Sequence, residues 1–166
     1  MSLESVRAFL AERAPDVTVI ETEASSATVA LAAAAHGVDP AQIAKTLSLR
    51  VGDRVFLVVT RGDARLDNRK VKETFGGKAS MLGPEEVLEL TGHPVGGVCP
   101  FGLKHPLPIY CDVSLKIYDE VVPAAGSVTS AVRIAPDRMA RITGAEWVDV
   151  CQSAPSTSPA LAPSGA

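Results

Sequence analysis

Aromatic side chains make up only 4% of this 166-residue chain. Ala, Val, Leu and Ile must therefore fill the core, which suits closely packed α/β layers. Cysteine is equally sparse. Three residues, Cys99, Cys111 and Cys151, make an odd count, and no signal peptide is legible, which argues against a secreted disulfide scaffold. No apolar run approaches the roughly 20 residues that span a bilayer; the candidate at 28–35 is stopped by Gly37. A reducing cytoplasm is the simplest compartment, with no membrane partner. There is no surplus of positive charge either. Sixteen Lys and Arg against 19 Asp and Glu leave a net charge of −3, which argues against a non-specific nucleic-acid coater and against DNA as a partner. An enzyme that touches only the end of an RNA remains open. CxxC and HxxxH spacings are missing, and so are GxxxxGK and GxGxxG, so neither a zinc site nor a nucleotide fingerprint is expected. No metal and no cofactor are expected.

What is present is a chain long enough for one self-supporting domain. Val6, Phe9 and Leu10 recur at helical spacing over 2–14, with Ser2 as a cap, and Pro15-Asp16 breaks the helix. A short β-rich run at 17–21 precedes an Ala-rich helix, capped by Ser25 or Ser26 and closed by Gly37. Asp39-Pro40 opens a short turn of helix. Two apolar runs, 46–51 and 55–60, flank Gly52-Asp53 as a hairpin, and the continuous apolarity of the second places it inside a sheet. Asp67 caps a helix over 68–75 that Gly76-Gly77 ends, and 79–82 reads as a short strand. Pro84 opens a helix ending near Gly92, with Glu85 and Glu86 in its first turn. Pro106 and Pro108 limit a strand at 107–112 to an edge or a strand start. Strands are expected over 115–123, 131–135 and 147–150, with a helix from Pro136 to Gly144. The Ser-, Pro- and Ala-rich stretch at 152–166 is expected to be disordered. The order of elements gives an α/β or α+β domain with a mixed sheet.

Chemistry can sit in four places. Lys45, at the start of a strand, is either an exposed lysine closing a helical turn or a cation placed where negative charge accumulates. The loop Gly96-Gly97-Val98-Cys99-Pro100-Phe101-Gly102 is either a structural turn or a site where backbone N–H groups approach a ligand. The loop Ala124-Ala125-Gly126-Ser127, with Thr129 and Ser130, is either a tight connection or the wall of a pocket for a small side chain. Arg61, Arg65, Arg69, Lys70, Lys72 and Lys78 cluster in 61–78 and form either a solvated face or a phosphate-contacting edge. Cys99 with His36, His93 or His105 could in principle act as nucleophile and base, but the spacing does not support it.

Together, Ala44-Lys45-Thr46-Leu47, the strand ending Val58-Val59-Thr60, Arg65-Leu66-Asp67-Asn68-Arg69-Lys70-Val71, Thr91-Gly92 before the glycine loop, Leu107-Pro108-Ile109 leading to Asp112, and Ile134-Ala135-Pro136 resemble the YbaK/aminoacyl-tRNA-synthetase-associated family. That family includes free-standing ProXp proteins and the editing insertion of prolyl-tRNA synthetase. The resemblance covers roughly 1–151. It implies a mixed, barrel-like β-sheet surrounded by helices and hydrolysis, in trans, of the ester joining a wrong amino acid to tRNA. It further implies that Lys45, Gly96 and Gly97 serve catalysis, and that Thr46, Thr60, Val98, Cys99, Pro100, Gly126, Ser127 and Ser130 surround the substrate. Arg65, Arg69 and Lys70 become candidates for tRNA contact. Cysteine-clearing members carry a serine near the second loop, where this chain has Ala124-Ala125-Gly126-Ser127, so Ser, Thr or Ala is expected ahead of Cys. The acidic chain is expected to meet the aminoacyl-tRNA acceptor end with help from a synthetase or an elongation factor. The alternatives are a catalytically silent module that binds aminoacyl-tRNA or a synthetase, and a thiol hydrolase using Cys99.

Overall fold

The computed structural model describes residues 2–152, so the expectation for the tail lies, apart from Gln152, outside the described residues. Five helices surround a mixed sheet: α1 (Ser2–Arg13), α2 (Val29–His36), α3 (Asn68–Phe75), α4 (Pro84–Thr91) and α5 (Pro136–Thr143). The strands are β1 (Ile20–Glu21), β2 (Ile43–Val51), β3 (Arg54–Arg61), β4 (Ser80–Met81), β5 (Ile109–Asp112), β6 (Val122–Pro123), β7 (Ser130–Ala131) and β8 (Glu146–Val148). The main sheet runs β4-β2-β3-β5-β8, with β6 also paired to β2 and β1 paired separately with β7. The mixed sheet and its helices agree with expectation, but the sheet is open. Its path ends at β4 and β8, so it does not close into a barrel.

Local sequence explains most elements. β2 and β3 form an antiparallel hairpin in which Val51 faces Arg54 across Gly52-Asp53, and Gly52 takes the positive φ the tight turn needs. The Asp67 carboxylate accepts from the N–H groups of Arg69 and Lys70 to start α3, a cap worth about 1 kcal/mol. Leu57, Val58, Val59 and Thr60 are all fully buried. β3 is thus covered on both faces, as its continuous apolarity implies. One face packs Leu57, Val59 and Cys111 under α1, α5 and Phe101. The other packs Leu49, Phe56 and Val58 under Val71 and Phe75 of α3. Three of the few aromatic rings gather there: Phe56 lies 4.4 Å from Phe75, and Tyr110 lies 5.0 Å from Phe75.

Two sequence expectations are corrected. Thr28, not Ser25 or Ser26, caps α2, its side chain accepting from Leu31 N–H. The segment 113–117 is a 3-10 turn rather than strand, because Asp112 stops β5. Its buried carboxylate accepts from Ser114 N–H at 2.9 Å and from Val150 N–H at 2.8 Å. Of the two places that Pro106 and Pro108 allow, the strand start holds: β5 begins at Ile109, directly after them, as an interior strand between β3 and β8. Pro108 sits just before it and contributes only its carbonyl, which accepts from Leu57 N–H, so no donor is missed.

Candidate active site

β2 carries an interrupted edge. β3 pairs with one side of it from Ala44 to Val51. On the other side β6 takes Ile43 and Ala44, and β4 takes Leu49 and Arg50. Residues 45–48 lie between these partners, where Leu82 N–H donates to the Ser48 carbonyl. Main-chain direction alternates along a strand, so Thr46, two residues before Ser48, also turns its N–H and carbonyl toward the gap. A cleft of about 300 Å³ opens there. It is walled by residues 26–29 and Ala32 at the start of α2, by Met81, Leu82, Pro84 and Val87, by Val95, Gly96 and Val98, and by Val122, Ala124 and Ala131.

Lys45 and Thr46 border this cleft from opposite faces of β2. Lys45 is half-buried, and its Nζ donates to the Ala64 carbonyl at 2.6 Å. Burial pushes its pKa below the ordinary lysine value, and neighbouring Asp63 opposes that shift. Thr46 Oγ1 is buried without a hydrogen-bond partner among the described residues. That is a costly state for a hydroxyl unless a ligand completes it. Thr60 stands directly across from Lys45 in β3 but is fully buried, and its hydroxyl donates to the Arg61 carbonyl. It lies outside the cleft.

The glycine loop reaches the cleft at Gly96 and Val98. Gly96 has φ +92°, and a Cβ there would stand 3.0 Å from the Ala27 Cβ. Gly97 packs behind it. Its N–H donates to the Pro94 carbonyl, and its carbonyl accepts from Gly126 N–H at 3.0 Å. Gly97 therefore joins two loops rather than presenting an N–H to a ligand. The N–H groups of Gly96 and Val98 have no protein acceptor among the described residues. Cys99 and Pro100 are buried beneath the loop and do not line the cleft. Burial pushes the Cys99 thiol up to about 12, which removes the thiolate a nucleophile needs. His93 lies fully buried beside it. Its Nε2 donates to the Phe101 carbonyl at 2.8 Å, and Nδ1 accepts from Ser2 Oγ, tying the loop to the start of α1.

The second loop contributes only its first residue, Ala124. Ser127 and Ser130 share a hydroxyl–hydroxyl bond of 2.7 Å, and Gly126 packs against Ser2; none of the three lines the cleft. Arg65 is exposed, Arg69 faces Glu73, and Lys70 is held by Asp149 at 3.0 Å and by the Cys151 carbonyl. They lie away from the cleft. The walls from α2, β4 and α4 carry no sequence signal, since Ala27, Val29, Met81 and Val87 read like ordinary core residues. Among the described residues no group of three His, Cys, Asp or Glu side chains could hold a metal ion, and no helix is long and apolar enough to cross a membrane.

The sequence model of the aminoacyl-tRNA editing domain matches residues 23–142, a span that includes every wall of the cleft. This chain belongs to the aminoacyl-tRNA editing domain family. Uncharacterized protein YwhH of Bacillus subtilis (strain 168) is 50% identical over 154 residues, 92% of this chain and 98% of that protein. EbsC of Enterococcus faecalis, provisionally named a Cys-tRNA(Pro)/Cys-tRNA(Cys) deacylase, is 26% identical over 69% of this chain and 71% of its own length. A crystal structure provisionally described as a trans-editing enzyme for prolyl tRNA synthetase superposes with a TM-score of 0.84 at 36% identity, over 92% of this chain and 98% of that one. The reaction of this editing domain is the deacylation of mischarged tRNA.

Proposed function

We propose that the cleft takes the aminoacylated 3′ end of a tRNA carrying alanine in error, with serine and threonine as poorer substrates, and hydrolyses it in trans. The observation that carries this reading is the cleft wall, in which Ala27, Val29, Ala32, Val98 and Ala124 offer a small aliphatic surface. The hydroxyls of Ser127 and Ser130, which could have read a hydroxylated side chain, bond to each other outside it. Of the hydroxyls that line the cleft, Ser26 donates to the Val128 carbonyl, Thr28 caps α2, and Thr46 is assigned to the ribose or the α-amino group, which leaves a substrate side-chain hydroxyl little to gain. Cys-tRNA is expected to be cleaved more slowly than Ala-tRNA by a limited factor, since one extra heavy atom in such a pocket is worth about 1–3 kcal/mol.

The ester is already activated, so water can attack the carbonyl carbon directly. The carbon–oxygen bond to the ribose then breaks, and the ribose oxygen leaves with a proton. Negative charge grows on the carbonyl oxygen, and the groups able to meet it are the Lys45 ammonium and the N–H groups of Thr46, Gly96 and Val98. Each well-placed donor of this kind is worth roughly 3 kcal/mol of barrier. Lys45 would exchange the Ala64 carbonyl for the substrate. Thr46 Oγ1 would gain the partner it otherwise lacks, on the ribose or the α-amino group. The reaction suits a cytoplasmic protein working beside a synthetase or an elongation factor, because net charge −3 gives little bulk attraction to RNA.

The test compares initial rates on Ala-, Ser-, Thr- and Cys-tRNA for wild type and Thr46→Val. Alanine should lead, and Thr46→Val should lower every rate at least about tenfold. Preference for Cys-tRNA would overturn the specificity, and tight binding without turnover would replace the enzyme by a binding module.

A further inference from the structure

A second groove, of about 510 Å³, lies between α3 and β4 and is lined by Asn68, Arg69, Lys72, Glu73, Lys78 and Ala79 around the buried Val71. It holds three cations and one acid in a chain whose net charge is −3. Lys72 and Lys78 are exposed and have no ion pair among the described residues. Arg69 meets Glu73 only at 3.5 Å, with both side chains largely in solvent, a contact worth little. The segment at β4 links the groove to the active-site cleft. Ala79 lines the one and Met81 the other. The chain between Lys78 and Met81 spans at most about 11 Å.

We propose that this groove takes phosphates of the tRNA acceptor strand while the cleft holds the terminal aminoacyl ribose. The inference rests on the deacylase reading and extends it. Flexible lysines with no aromatic ring suit a row of phosphates, which position a nucleic acid without reading its sequence. They suit a protein partner poorly, because protein interfaces deplete Lys and enrich aromatics. Of the basic residues that the sequence singles out for tRNA contact, Arg69 belongs to this groove, whereas Lys70 is engaged by Asp149.

The experiment is binding of uncharged tRNA by wild type and by the double variant Lys72→Gln/Lys78→Gln, followed by anisotropy across a salt series. Both side chains are exposed, and matching thermal melts will establish that the variant is folded. Losing two phosphate contacts should weaken binding several-fold at low salt. It should also flatten the log Kd against log salt plot by about 1.4. Equal affinity and slope in the two proteins would overturn the groove's role. So would displacement of the tRNA by polyglutamate at the same charge concentration, which would mark a surface selective only for acid. Because the ligand is uncharged tRNA, either result stands apart from catalysis; a separate assay of wild-type deacylation shows whether the enzyme reading itself has failed.

Discussion

Gly97 and Ser127 meet backbone to backbone: a Cβ on Gly97 would stand 2.8 Å from the Ser127 nitrogen and 2.9 Å from its Cα. Gly97 O also accepts from Gly126 N–H, so two loops distant in sequence are joined behind the cleft. Gly97→Ala forces them apart. The expected outcome is a loss of stability of about 1–3 kcal/mol and a fall in deacylation larger than that loss alone would cause. Thermal melts and initial rates on the same preparation check this, and unchanged rates would show that the glycine loop does not need the contact.

Cys99 gives a prediction of opposite sign. Its thiol is fully buried and pushed up to about 12. Cys99→Ala should therefore keep deacylase activity within about threefold, at a stability cost of about 1–2 kcal/mol from the small cavity. A hundredfold loss of kcat at saturating substrate would restore the thiol mechanism.

Acid should destabilise the fold through His93. Burial holds its pKa below the ordinary 6.5, with the Phe101 carbonyl opposing, so the folded state binds its proton less readily than the unfolded chain. The contribution is complete above about pH 6.5 and is lost as pH falls from there toward the folded value. The slope is up to about 1.4 kcal/mol per pH unit for one such group. His36, lowered mainly by burial and also by Arg133, acts in the same direction. Urea unfolding at pH 8 and pH 5.5 should give a lower midpoint in acid, and His93→Asn should reduce the difference. A midpoint that does not move would contradict the assignment.

Much of this fold is legible locally. Asp67, Gly76, Pro84, Gly92, Pro136 and Gly144 bound their helices in the structure, because a cap acts within one turn of chain. The hairpin across Gly52-Asp53 is legible for the same reason. Whatever depends on distant partners is not. Nothing in the sequence of β5 says that β8 will cover its second edge, so Pro106 and Pro108 leave an outer strand and a strand start equally open. The interrupted edge of β2 likewise arises only because β4 and β6 stop short of each other.

The site follows the same division. Lys45, Thr46, Gly96 and Val98 are marked by residue type and by the family pattern, and they border the cleft. The hydroxyls of Ser127 and Ser130 look equally suited to a pocket, yet they satisfy each other. Sequence does not reveal where a hydrogen bond is already spent. Ala27, Val29, Met81 and Val87 wall the cleft but share their composition with any core.

The most direct test of the account is hydrolysis of Ala-, Ser-, Thr-, Cys- and Pro-tRNA by wild type and by Lys45→Ala. The account predicts turnover of Ala-tRNA with Pro-tRNA spared, and a loss on the order of 10² to 10³ in the variant. Equal hydrolysis by Lys45→Ala would contradict it, as would wild-type protein that leaves every ester in the panel intact.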